Sequence, residues 1–120
     1  MTEPIRAAVK TVSIARIAEL LGRFPRFRTR FFREAERVYC DSMRRKPAQH
    51  YAARLAAKLA CRHVLGAGAL ADIEITRDGM GAPHLVLHDA AARQAKGLCM
   101  RVSLSHDGDM AAAIVSGEQL

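Results

Sequence analysis

Arg54-Leu55-Ala56-Ala57-Lys58-Leu59-Ala60 lies at the centre of the most regular periodic segment in the chain. Across residues 48–65, Tyr51, Ala52, Leu55, Ala56, Leu59, Ala60 and Val64 recur at helical spacing and share a broad apolar face. Side chains three and four apart line up on a helix, so this spacing predicts an amphipathic one. Arg54, Lys58 and Arg62 repeat every fourth residue beside the apolar face. Lys46-Pro47 supplies the break before the helix, because proline fits a first turn whose N–H would be unpaired anyway. Gly66 and Gly68 end it.

Upstream, β-branched Ile5, Val9, Thr11 and Val12 predict an edge or early strand over residues 5–12. Ser13 fits an N-cap for the next segment, although Thr11 or a direct bend from strand to helix would serve as well. Ile14, Ile17, Leu20 and Leu21 then recur at helical spacing, and Gly22 with Pro25 marks a stop. Arg16 and Arg23 fall together, away from that stripe. Residues 26–33 alternate Arg with Phe or Thr, which admits a strand, but the polar surroundings favour a short helix or turn. Residues 34–43 continue as a helix carrying Val38 and Met43.

Downstream the period changes. Asp72 to Arg77 alternates polar residues with Ile73 and Ile75, Asp78-Gly79-Met80-Gly81 forms a turn, and His84 to Leu87 reads as a second strand. Residues 89–96 suit a short helix. Met100 to Ser105 and Ala111 to Val115 give two more strands around Asp107-Gly108-Asp109. The expectation is an α+β fold, with helices concentrated early and an antiparallel sheet late.

At 120 residues and 13.2 kDa, residues 1–120 fit one domain with a modest core. Half of the residues are apolar, yet only six are Phe or Tyr, so small side chains build that core and an oligomer would help complete it. The formal charge of +7 is uneven: residues 1–62 hold fifteen Lys or Arg against five Asp or Glu, and residues 63–120 hold four against seven. A basic first half suits an acidic protein, a phosphorylated metabolite or anionic lipid. Nucleic acid is disfavoured, as no stacking platform or recognised binding motif is present. Cys40, Cys61 and Cys99 are too few and too far apart for a disulfide framework or a closed zinc site, and read as free thiols in a reducing compartment. No signal peptide or long apolar span is evident, which predicts a cytoplasmic protein with no membrane association.

Several short pieces, read in order, give a resemblance. They are Ile14-Ala15-Arg16-Ile17 after an opening strand, Phe32 with Glu36-Arg37-Val38-Tyr39-Cys40, and Arg54-Leu55-Ala56-Ala57-Lys58. Ile73-Glu74-Ile75 with Gly81-Ala82-Pro83 follows, then Val102-Ser103-Leu104-Ser105-His106 and Ala111-Ala112-Ala113. Across roughly residues 8–116 the chain resembles the small bacterial holo-acyl-carrier-protein synthases, of the 4′-phosphopantetheinyl transferase superfamily. The resemblance implies that superfamily's fold, helices packed on an antiparallel sheet, and a trimer with active sites at subunit boundaries. It also implies a reaction in which a carrier-protein serine attacks the β-phosphate of coenzyme A and 3′,5′-ADP leaves, with magnesium held by two carboxylates bridging the diphosphate. Charge gathering on phosphoryl oxygens must in any case be met by fixed positive groups.

Two positions depart from that pattern. Lys10 stands where the resemblance places the first metal-binding Asp, with Ser13 at the nearby Glu, and Leu59 stands where a Glu follows the helix lysine. Leucine does not coordinate magnesium, whereas Lys10 could meet a diphosphate as a point charge without metal. The resemblance therefore implies Lys10, Lys58 and His106 as catalytic candidates, and Arg54, Lys58, Ser105 and His106 as the coenzyme A set, with no protein metal ligands. Arg16, Arg23 and Arg26 are the implied grip on an acidic acyl carrier protein. Ser105 lacks the strand-to-helix elbow of a hydrolase nucleophile, and Asp107 and Asp109 read as solvated turn residues. Three functions fit: a divergent transferase working through Lys10 or through carboxylates from a paralogous subunit, a non-catalytic carrier-binding or assembly subunit, and an enzyme recruited to a carrier-bound acyl chain. The partners implied are an acyl carrier protein and further subunits, in a homotrimer or a mixed oligomer with a paralogue.

Overall fold

The computed structural model describes residues 5–120. Strand β1 (Arg6–Ser13) runs without a loop into helix α1 (Ile14–Arg23). Ser13 makes the joint: its hydroxyl accepts the Arg16 N–H at 3.1 Å as the N-cap, and the Ile14 N–H donates to the Asp109 carbonyl at 2.8 Å. Phe24 closes α1, and Pro25 opens the short helix α2 (Pro25–Phe31), so the arginine-rich stretch is helical. Helix α3 (Glu34–Ser42) follows. Helix α4 (Pro47–Leu65) begins after Lys46, whose φ of 56° is left-handed, and ends on Gly66 at φ 80°, as the flanking residues predict.

The second half adds a single 3₁₀ turn at Leu70–Asp72, strands β2 (Ile73–Arg77) and β3 (Pro83–Leu87), helix α5 (Asp89–Gln94), and strands β4 (Leu98–Asp107) and β5 (Met110–Gln119). The expected late sheet is in fact two sheets. β2 and β3 form a separate hairpin, and β1 joins the C-terminal hairpin in the order β1-β5-β4, antiparallel throughout. β1 pairs along most of β5, from Arg6 opposite Gly117 to Ser13 opposite Met110. β4 and β5 extend beyond the alternating stretches that mark them in sequence, keeping register out to Leu98 opposite Gln119.

α4 is the axis of the fold. Ala56, Ala60 and Val64 pack with Ile73, Ile75, Ala113 and Val115, while Tyr51 and Ala52 pack with Ile17, Phe32, Cys40 and Ala111. Small residues let sheet and helix approach closely: a Cβ on Gly117 would lie 2.9 Å from Met100 Sδ and 3.2 Å from Val64 Cγ1. The helix is covered on more sides than its sequence pattern predicts. Arg54 and Lys58 are 1% and 0% exposed, whereas Leu55 and Leu59 of the expected apolar face are only half-buried. α3 and β2 cover the side that the basic repeat marks as solvent-facing, and they bring acceptors for Lys58. No helix among the described residues is long and apolar enough to cross a membrane.

The opposite face of the three-stranded sheet carries Val9 and Ile114, 61% and 51% exposed and directly opposed in register. Alternation along the strands places Thr11, Ala112, Ser103 and Ser105 on the same open face.

Candidate functional site

Lys10 and Leu59, the two departures from the expected pattern, line one cavity. It measures ≈ 440 Å³ and is completed by Arg62, His63, Gly66 and Ala67. β1 supplies Lys10 from its helix-facing side, the last two turns of α4 supply Leu59, Arg62 and His63, and Gly66 and Ala67 follow directly after the helix. No carboxylate lines it. The magnesium that the resemblance implies finds no ligand among these side chains: an ammonium repels a divalent cation, and an isobutyl group offers no oxygen. No group of three His, Cys, Asp or Glu side chains among the described residues is placed to hold a metal. The residues present do not fit the ion.

Lys58 faces away from that cavity, contrary to a role on phosphate. Its side chain is fully buried, and Nζ donates to Glu36 Oε1 at 2.7 Å, to the Leu70 carbonyl at 3.1 Å and to the Ile73 carbonyl. All three ammonium hydrogens have protein acceptors, which leaves none for a ligand. Burial pushes the Lys58 ammonium below the usual lysine range, and the Glu36 charge opposes that shift.

Arg54 is buried for a different reason. Its guanidinium carbon stacks 4.2 Å from the centroid of Tyr39, and Arg77 approaches the same ring at 5.6 Å. Nε and Nη1 of Arg54 are buried with no hydrogen-bond partner in the described chain. Arg54, Tyr39 and Arg77 line a cavity of ≈ 240 Å³ with Ala35, Ile75 and Thr76. Arg77 also borders a second cavity of ≈ 320 Å³, walled by Gln49, His50, Ala53, Leu104, Ser105 and His106. There the Gln49 side-chain amide donates through Nε2 to the His106 ring nitrogen Nε2 at 2.6 Å, so that nitrogen of His106 is the acceptor. Burial, and then the charges of Arg54, Arg77 and His106, push His50 below the usual imidazole range. The result is a positively biased pair of cavities containing two arginines and two histidines.

The three expected catalytic residues are not brought together in one chain. Lys10 and His106 occupy the same sheet face two strands apart, since Lys10 opposes Ala113, Ala113 opposes Leu104, and His106 is two residues further along. Their Cα atoms are thus roughly 12 Å apart by strand geometry. Lys58 belongs to the interior. Ser105 is exposed at the rim of the His106 cavity, on the strand position that alternates to the open sheet face. Arg16 and Arg23 fall together as their spacing predicts: both contact Glu19, at 3.5 and 3.0 Å, and remain about two-thirds exposed. Arg26 is also exposed.

Arg77, His50, Gln49 and His63 are the members of these cavities that sequence reasoning missed. Arg77 ends a strand, and His50 and Gln49 sit in the first turns of α4, so only tertiary packing joins them. His63 carried one legible signal, its place one turn after Leu59.

Known proteins agree with this fold. The chain is 38% identical over 117 residues to the holo-[acyl-carrier-protein] synthase of Moorella thermoacetica, covering 92% of this chain and 91% of that protein. It is 42% identical over 114 residues to the enzyme of the same name from Anaeromyxobacter dehalogenans, covering 87% and 88%. Among solved structures, a Chronobacterium ammoniagenes ACPS–CoA complex superposes with a TM-score of 0.86 at 27% identity, covering 98% of this chain and 99% of that one. The Helicobacter pylori synthase in complex with coenzyme A gives 0.78 at 29% identity, covering 91% and 96%. No family model matches the chain. The chain belongs to the holo-[acyl-carrier-protein] synthase family of 4′-phosphopantetheinyl transferases.

Proposed function

We propose that this protein binds coenzyme A and an acyl carrier protein as its relatives' names and complexes indicate, and that its own residues do not support magnesium-bridged pantetheine transfer. The observation that carries the binding reading is Arg54. A guanidinium buried with two unpartnered nitrogens, beside Arg77 and next to the His106 cavity, is a site short of an anion. Phosphate oxygens of coenzyme A supply acceptors of the right charge and geometry. Arg54 and His106 are then its principal contacts, Ser105 a contact at the rim, and Lys58 a positioning residue that fixes α4 against α3 and β2.

Arg16, Arg23 and Arg26 form the proposed carrier-binding surface. Their exposure leaves them free to attract an acidic helix over long range, an effect that speeds encounter more than it deepens affinity. The reading without transfer rests on Lys10 and Leu59 occupying one cavity, which removes the carboxylates that the family resemblance places there. A second reading, an assembly subunit within a mixed oligomer, draws on the open Val9–Ile114 sheet face, where a paralogue could add its own site.

The test is intact-mass analysis of an apo carrier protein incubated with coenzyme A and magnesium, with this protein alone and with a paralogous synthase added. The expected result is salt-sensitive carrier binding that Arg16→Glu weakens, with no mass gain on the carrier from this protein alone. A pantetheine-sized gain without the paralogue would overturn the reading without transfer. Carrier affinity unchanged by Arg16→Glu would remove the proposed carrier surface.

A further inference from the structure

We infer that the groove between α1 and the start of α4 is a binding site for a free alkyl carboxylate, a medium-chain fatty acid, with Arg28 and Lys46 on its carboxylate and α1 along its chain. The inference goes beyond the coenzyme A and carrier reading and uses none of its residues.

The groove holds ≈ 630 Å³, within the usual range for small-molecule sites. Its floor is Ile14, Ala15, Ala18, Leu21 and Gly22, which recur on one side of α1 and extend over about 12 Å at the helical rise. Pro47 and Ala48 of α4 form the facing wall. Small side chains leave the trough open, and its apolar lining favours a hydrocarbon over water. Ala15, Ala18 and Gly22 lie roughly a third of a turn around the helix from Arg16 and Arg23, so this is not the face offered to the carrier.

The polar lining selects the head group. Arg28 and Lys46 stand against Asp109, which leaves one net positive charge. Arg28 is held from behind: Nε donates to Tyr51 Oη at 3.0 Å and lies 3.4 Å from Asp41 Oδ1, while neither Nη has a partner among the described residues. A guanidinium fixed in this way presents a fork that matches the two oxygens of a carboxylate. The Lys46 side chain makes no hydrogen bond or ion pair among the described residues, and its φ of 56° lies in the region that favours glycine. A lysine kept there at a conformational cost, with a free ammonium on an apolar groove, is accounted for by a ligand. One carboxylate balances the net charge, whereas a diphosphate exceeds it. A carrier-bound acyl thioester brings no charge and leaves both cations unpaired.

Isothermal titration of the purified protein with sodium decanoate, below its micelle-forming concentration, tests the inference. Saturable binding at one site per chain is expected. Lys46→Gln should weaken it about tenfold, as for loss of one charge-assisted contact. Decanol, with the same chain and no charge, should bind wild type more weakly than decanoate does. Ala18→Leu fills the trough and should abolish binding; the position is exposed and leucine suits a helix, so its melting temperature should stay at the wild-type value. Lys46→Gly should melt no lower than wild type, because glycine accepts the left-handed backbone, yet should lose affinity as Lys46→Gln does. The surface variant Arg93→Gln should bind as wild type does. Absence of saturable binding, wild-type affinity in Ala18→Leu or Lys46→Gln, or decanol binding as tightly as decanoate would each overturn the inference.

Discussion

Lys58 Nζ lies 2.7 Å from Glu36 Oε1 with both side chains fully buried, and this pair joins four elements of the fold. Glu36 Oε1 also accepts the Arg33 N–H at 3.0 Å, and Oε2 accepts the Ile75 N–H at 3.1 Å. With the Leu70 and Ile73 carbonyls on Lys58, the pair ties α3 and α4 to the 3₁₀ turn and β2. Every lone pair and proton that matters has a partner, the condition under which a buried ion pair is tolerated.

Removing one partner leaves the other charge buried alone. Lys58→Met is therefore expected to cost roughly 3–5 kcal/mol in urea unfolding. The double variant Lys58→Met with Glu36→Gln should recover part of that loss, because no unpaired charge remains. A single variant as stable as wild type, with impaired coenzyme A binding, would return Lys58 to the ligand site.

Arg54 predicts the opposite sign. Its cation–π contact with Tyr39 is favourable, but two buried nitrogens lack acceptors, and such atoms carry a desolvation penalty of about 1–3 kcal/mol. Arg54→Met keeps most of the stem's packing and removes the unpaired donors. In the absence of anions the variant should be at least as stable as wild type by thermal melting. Added sulfate should then raise the melting temperature of wild type more than that of the variant. Equal sulfate responses would show that the guanidinium is not waiting for an anion.

The contrast between these two basic residues marks how far the sequence could be read. Ser13, Pro25, Pro47 and Gly66 announced the helix boundaries because capping and proline geometry act within a few residues. Lys10 and Leu59 were legible as departures, and the fold brings both to one cavity. The burial of Arg54 and Lys58 was not legible. Their four-residue spacing reads as a solvated stripe, and only the distant Glu36, Tyr39 and Ile73 change that meaning. β1 likewise showed strand character without revealing its partner β5, because pairing between chain ends leaves no local mark.

Val9 and Ile114 sit in register at the centre of the open sheet face, where exposed β-branched residues are prone to find another surface. A second and third copy of this chain are the proposed cover, consistent with the trimer that the family resemblance implies. Ile114→Glu should shift the protein to monomer in sedimentation or light scattering. Monomer stability should change by less than about 0.5 kcal/mol, since the position is solvent-exposed within one chain. A wild-type assembly state in this variant would place the subunit contact elsewhere.

His50 makes the positive bias of the His106 cavity measurable through pH. Burial first, and then Arg54, Arg77 and His106, hold its folded pKa below the unfolded value near 6.5. Below that value the unfolded chain binds a proton more readily than the folded one. The neutral imidazole thus contributes no penalty at higher pH, and stability falls as pH drops through about 6.5 towards the folded pKa. His50→Asn should flatten that part of the stability profile. An anion bound beside Arg54 and Arg77 cancels their charge and raises the His50 pKa, so near pH 6 wild type should take up more protons, or release fewer, than His50→Asn when the same anion binds. Titration calorimetry in buffers of different ionisation enthalpy measures that difference. A proton exchange unchanged in His50→Asn would contradict the assignment of the anion to this cavity.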